Sequence, residues 1–275
     1  MPVAPEPYRG PLRAVILDMA GTIVDYGSCA PAGVFIEVFK RHSISISMAQ
    51  ARGPMGAHKR DHIAAIAALP EVAEAWRAAH SRDPADSDIE AMYQELIPLQ
   101  LAALPAYSTL IPGTLQAAAE FRRRGLGVAT TTGYNREMMD VVLREMRPQG
   151  FEPDAAVCVD DVPAGRPEPW MALEAAKRLR AYPPVACVKV GDTAPDILEG
   201  LNAGMWTVAL TRTGNDLGLT QAESDALPPG ELQARLERAT TRLRSAGAHF
   251  VVESIANVPL VLDEITARLN GGSKP

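Results

Sequence analysis

Side chains able to do chemistry stand at the ends of short apolar runs in four places. Asp18 closes the run Leu-Arg-Ala-Val-Ile-Leu and is followed by Met-Ala-Gly-Thr. A carboxylate at such a switch from strand to loop is either presented to a crevice or used to turn the loop. The run ending Val190-Gly supplies Asp192, and Asp196 follows four residues later. Carboxylates from neighbouring strand ends make a hard-oxygen site suited to Mg²⁺, while Asp196 is equally placed to cap the next helix. In Thr130-Thr-Thr-Gly-Tyr, the hydroxyl of Thr132, the backbone of Gly133 and Tyr134 lie just ahead of a helical pattern. Free N–H groups at a helix start suit a phosphate, although Thr-rich strand ends also occur for turn-making alone. Arg166, between Gly165 and Pro167, is either a solvated surface cation or a holder of an anionic oxygen.

These residues need elements to hold them. Beta-branched apolar runs at residues 12–18, 127–131, 155–159, 185–190 and 206–210 read as buried parallel strands. Helical patterns at 114–124, 135–146 and 170–179 lie between them, and this alternation predicts a parallel sheet with helices on both faces. Residues 30–104 contain no convincing strand but do contain helical spacing and two capping-box patterns, Ser47 to Gln50 and Ser87 to Glu90. The spacing predicts a helical insertion with one helix over 57–69, placed to close over a site at the carboxyl ends of the strands. The organisation read from this is an α/β core of residues 1–28 and 105–275 and a helical cap of residues 29–104.

At 275 residues the chain is long enough to bury a core without disulfides. The net charge of −6 argues against nucleic-acid and anionic-membrane surfaces. No apolar run reaches the ~20 residues of a membrane helix, and the first eight residues lack a leader pattern. Cys29, Cys158 and Cys187 form neither a disulfide framework nor a zinc pattern, so a cytoplasmic setting is expected.

The four segments, in this order, resemble the motifs of the haloacid dehalogenase superfamily, whose core is a Rossmann-like parallel sheet. The resemblance implies that Asp18 is a nucleophile, that Thr132 and Arg166 occupy its hydroxyl and basic positions, and that Asp192 and Asp196 form its acidic motif. One departure decides the chemistry. Phosphatases of the superfamily carry a second Asp two residues after the nucleophile to protonate the leaving oxygen, and here that position is Ala20. General acid catalysis contributes about 10²–10⁴-fold, so ester hydrolysis is expected to be poor.

The insertion offers a replacement. In Met55-Gly-Ala-His-Lys-Arg-Asp-His, helical spacing puts Lys59, His62, Ile63 and Ile66 on one face. A Lys flanked by His58 and Arg60 and near apolar residues is placed for a lowered pKa, and a neutral amine forms an imine with a carbonyl. The cap motif, Asp18-Met-Ala-Gly-Thr and Thr131-Thr-Gly-Tyr-Asn together resemble the phosphonoacetaldehyde hydrolase (phosphonatase) family over nearly the whole chain. That resemblance implies a small phosphonate substrate, Mg²⁺ held by Asp18, the Ala20 carbonyl and Asp192, a Lys59 Schiff base, and an aspartyl-phosphate on Asp18. It further implies substrate contacts from Thr132, Gly133, Tyr134, Arg166 and Met55, support from Asp196, and a homodimer joined through the caps, while His62, one helical turn from Lys59, is placed either to shuttle protons or simply to pack. Ser28 stands where the family commonly has Cys, with Cys29 next, which leaves both roles open. A phosphatase or phosphomutase using Lys59 only for binding, and a non-catalytic binding protein, are the competing readings.

Overall fold

Strands with no polar face must be covered on both sides, and this chain pairs six of them into one parallel sheet. The computed structural model describes residues 8–275; most of the segment read for a leader pattern therefore lies outside the described residues. The strands are β1 (Ala14–Leu17), β2 (Gly127–Thr132), β3 (Ala155–Cys158), β4 (Cys187–Gly191), β5 (Trp206–Leu210) and β6 (Phe250–Val252), in the order β3-β2-β1-β4-β5-β6. The chain steps outward one way from β1 to β3 and the other way from β4 to β6. The switch point, where open α/β sheets bind ligands, therefore falls between β1 and β4. Alternate residues of β1 go to opposite layers. Val15 and Leu17 join Val128, Phe121 and Leu262 on one face. Ala14 and Ile16 join Ala129, Met171 and Ala175 on the other.

The insertion is helical: α1 (Cys29–Arg41), α2 (Met48–Arg52), α3 (Lys59–Ala67), α4 (Pro70–His80) and α5 (Asp86–Tyr107). Its helices pack through Phe35, Phe39, Ile63, Ile66, Trp76 and Met92, all nearly sealed from solvent. Ser47 starts α2 with a reciprocal box, Ser47 Oγ accepting from the Gln50 N–H at 3.2 Å and Gln50 Oε1 from the Ser47 N–H at 2.8 Å. The box expected at Ser87 does not form: the N-cap is Ala85, two residues earlier, whose methyl group cannot accept, and only the return bond is made. Asp88 Oδ2 accepts from the Ala85 N–H at 2.7 Å, and α5 begins at Asp86. Helix α5 continues to Tyr107, three residues past the boundary read at 104.

Seven further helices follow the insertion among the described residues: α6 (Thr114–Arg123), α7 (Arg136–Met146), α8 (Trp170–Arg178), α9 (Ala194–Asn202), α10 (Gln221–Ala226), α11 (Pro229–Ser245) and α12 (Val258–Asn270). Among the described residues no helix is long and apolar enough to cross a membrane.

Candidate active site

The switch point delivers the carboxylates. Asp18 follows β1 and donates its N–H to the Val190 carbonyl at 2.9 Å, which seats it beside the end of β4. Asp192 follows β4, Thr132 ends β2, and Arg166 comes from the loop after β3. Asp18, Ala20, Thr132, Gly133, Tyr134, Arg166 and Asp192 of the core and Met55 and Lys59 of the cap line one cleft of about 330 Å³. Sequence reasoning left the position of Ser28 open; it lines the cleft too, whereas the Cys29 thiol turns to the Tyr26 carbonyl at 3.6 Å. Asp196 is brought beside the carboxylate pair but does not line the cleft, its Oδ1 being bonded to Arg166 and Lys189. His62 is not brought in.

The floor of the cleft is a buried charge network. Arg166 Nη1 meets Asp18 Oδ1 at 2.7 Å and Asp196 Oδ1 at 2.9 Å, and its Nε meets Glu199 Oε2 at 2.8 Å. Its Nη2 donates to the Thr131 carbonyl at 3.2 Å and Thr131 Oγ1 at 2.9 Å. Every donor of the guanidinium is thus met by a protein oxygen. Sequence reasoning gave Arg166 to the oxygens of an anionic ligand. Three carboxylates converge on it instead, so it fixes Asp18 rather than offering a free cation.

Two members of this network were missed in sequence. Lys189 Nζ meets Thr131 Oγ1 at 2.9 Å, Asp196 Oδ1 at 3.0 Å and Glu199 Oε2 at 3.1 Å. Glu199 Oε1 accepts from the Ala172 N–H at 3.1 Å, tying the network to α8. The available signal was a Lys inside the otherwise apolar run Val-Ala-Cys-Val-Lys-Val, because a charge in a buried strand requires partners.

Burial and the nearby Asp196 push the Asp18 carboxyl up to about 6, against the pull of Arg166. Burial, then Asp18 and Asp196, pushes Asp192 well above the carboxylate range. Burial also acts on Asp196, but Arg166 and Lys189 outweigh it and hold that group below its ordinary value. Crowded acids of this kind call for a cation. Asp192 Oδ2 accepts from the Asn215 N–H at 2.8 Å, while Asp192 Oδ1 is buried with no partner. One oxygen from each of Asp18, Asp192 and Asp196 lies within 4.8 Å of the others. This all-oxygen donor set with an orphaned carboxylate oxygen fits Mg²⁺.

Lys59 enters from the cap at the start of α3 and is only 5% exposed. Its amine stands 5.1 Å from the centre of the Tyr134 ring and 5.6 Å from that of Phe35. Burial lowers its pKa from 10.5 to about 8, with Asp18 pulling the other way and Arg166 adding to the fall. Arg60, read as a contributor from the flank, points away to Asp86 at 2.5 Å and Glu90 at 3.0 Å.

His62 requires a correction. Its ring stacks on Phe35 with centroids 3.8 Å apart, and Nε2 bonds the Ala51 carbonyl at 2.8 Å. Burial, then the Lys59 charge, lowers its pKa to about 3. The shared helix face is real, but only its first residue reaches the cleft. One turn later the same face meets α1 and α2, so His62 is a neutral structural group and not a proton shuttle.

The chain is similar to known proteins over most of its length. The model of the haloacid dehalogenase-like hydrolase family matches residues 12–204. A phosphonoacetaldehyde hydrolase of Syntrophobacter fumaroxidans is 46% identical over 98% of both chains. Another, from Nitratidesulfovibrio vulgaris, is 44% identical over 98% of this chain and 96% of its own. The crystal structure of a phosphonoacetaldehyde hydrolase-like protein from Oleispira antarctica superposes with a TM-score of 0.97 at 38% identity, covering all of both chains.

Proposed function

Because the chain belongs to the haloacid dehalogenase-like hydrolases, and within them to the phosphonoacetaldehyde hydrolase family, we propose that it hydrolyses phosphonoacetaldehyde to acetaldehyde and phosphate. The observation that carries the mechanism is a buried, partially neutral Lys59 amine in the same cleft as Asp18, with a methyl group at Ala20 where an acid would stand.

A carbon leaving group departs badly as a carbanion. The Lys59 amine adds to the aldehyde carbon and loses water to give a protonated imine, an electron sink one carbon from the P–C bond. Asp18 attacks phosphorus, and the electrons of the breaking P–C bond pass to the imine nitrogen, leaving an enamine. Protonation at carbon and hydrolysis return Lys59 and release acetaldehyde. A second water hydrolyses the aspartyl-phosphate and returns Asp18. The water lost in forming the imine balances one of the two consumed, so one water is used per turnover.

Asp18, the Ala20 carbonyl and Asp192 are the groups to hold Mg²⁺, which when bound offsets the negative charge of the phosphonate. Thr132 and the Gly133 N–H position phosphonate oxygens, Arg166 keeps Asp18 oriented, and Asp196 keeps Arg166 in place. Met55 and Tyr134 wall the cleft and exclude water from the imine.

Phosphate release from phosphonoacetaldehyde with Mg²⁺, together with borohydride trapping, tests this reading. Lys59→Arg is expected to abolish substrate-dependent trapping and lower kcat by about 10³-fold or more. Asp18→Ala is expected to retain trapping and release no phosphate. Undiminished turnover in Lys59→Arg, or hydrolysis of simple phosphate esters at comparable rates, overturns it in favour of a phosphatase.

A further inference from the structure

The segment after β5 takes no part in the chemistry above, yet it touches both the Asp192 carboxylate and the cap. The backbone N–H of Asn215 holds Asp192 Oδ2 at 2.8 Å. The side chain of the same residue faces the cap. Asn215 Oδ1 accepts from Arg52 Nη1 at 3.1 Å, and Asn215 Nδ2 donates to the Arg52 carbonyl at 3.2 Å.

Arg52 ends α2, and its fork spans three pieces of chain. Nη1 also donates to the Gly27 carbonyl at 2.7 Å, at the crossing from core to cap, and Nη2 donates to the Gly218 carbonyl at 3.1 Å. The slot is shaped to the guanidinium: a Cβ on Gly218 would stand 2.9 Å from Arg52 Cζ. The crossing itself is tied to the same segment, Gly27 donating its N–H to the Thr213 carbonyl at 2.7 Å.

We propose that Arg52 and Asn215 form a latch through which cap closure sets the Asp192 carboxylate. With the cap shut, Arg52 seats Asn215, and the Asn215 amide pins one oxygen of Asp192 so that the unpartnered Oδ1 is turned to the acidic cluster. Opening the cap withdraws Arg52, frees the segment from residue 213 to 218, and lets the carboxylate turn. Both are positioning residues: neither side chain lines the cleft. By linkage the coupling runs both ways, so a cation at Asp192 favours closure. The inference rests on the reading of Asp192 as a metal ligand.

Mg²⁺ titrated calorimetrically into the substrate-free protein, with hydrogen exchange followed at residues 55–58, tests the latch. Arg52→Ala and Asn215→Ala are each expected to weaken Mg²⁺ binding by about tenfold. The double variant is expected to bind no more weakly than the worse single one. Mg²⁺ is expected to slow exchange at residues 55–58 in the unaltered protein and to fail to do so in either variant. Arg52→Lys, which keeps the charge but cannot span Asn215 and Gly218 together, recovers only part of the affinity and keeps the test open if Arg52→Ala does not fold. Unchanged Mg²⁺ affinity in the folded variants, additive losses, or no Mg²⁺ binding by the unaltered protein overturns the latch. Failure of that protein to release phosphate from phosphonoacetaldehyde while still binding Mg²⁺ overturns the substrate reading alone, and the titration still decides the latch.

Discussion

Two lysines of this molecule are almost equally hidden and do opposite things. Lys59, in the cap, is 5% exposed; Lys189, in the core, is 0% exposed. Lys59 faces two aromatic rings, and its amine has no hydrogen-bonded partner among the described residues. Lys189 is held by a hydroxyl and two carboxylates. Burial removes water from both, and at Lys59, whose amine is bonded to no carboxylate, it pushes the group toward neutrality. The company of a buried lysine, more than its depth, decides whether it serves as a nucleophile or a strut.

The same substitution at the two sites should therefore have opposite signs. Lys189→Met leaves Asp196 and Glu199 without one of their cations and is expected to destabilise the fold by about 3–5 kcal/mol in denaturant unfolding. A loss smaller than that of an ordinary surface substitution would break the comparison. Lys59→Met removes a charge whose pKa falls from 10.5 to about 8, a gain of roughly 3 kcal/mol at pH 7. Because the folded-state pKa lies below the unfolded one, that gain is full below pH about 8 and fades as the pH rises toward 10.5. Unfolding curves of the variant at pH 7 and pH 10 check both the size and the sign. The smallest effect belongs to His62. His62→Gln loses stacking on Phe35 and is expected to cost about 1 kcal/mol of stability, with kcat and its pH profile unchanged between pH 6 and 8. A displaced acidic limb in that profile would return the ring to the chemistry.

What the sequence shows clearly is local. Asp18, Thr132 and Asp192 end strands that their own neighbours define, so run and terminal residue are read together. Ala20 is informative because a methyl group stands where an acid is expected. Glu199 looks ordinary within its helix, and Lys189, though a charge in an apolar strand, does not name its partners, which are side chains brought together across β4, α9 and the loop carrying Arg166. For His62 the spacing leaves proton transfer and packing both open, because it fixes the face a residue shares but not how far along that face the cleft extends, and the structure places the ring in the packing role. Strand β6 has only three residues and α11 is largely polar and exposed, so neither gives a strong periodic signal.

The joint between cap and core also limits how the enzyme can be redesigned. A methyl group added to Gly133 would come within 3.0 Å of the Ala57 carbonyl oxygen, and one on Gly56 within 2.4 Å of Thr193 Oγ1. Two bare backbones meet at this seam, and any side chain there is a wedge. Room for longer or branched aldehydes has to be carved instead from the side chains of Met55, Pro31 and Ser28, which line the cleft.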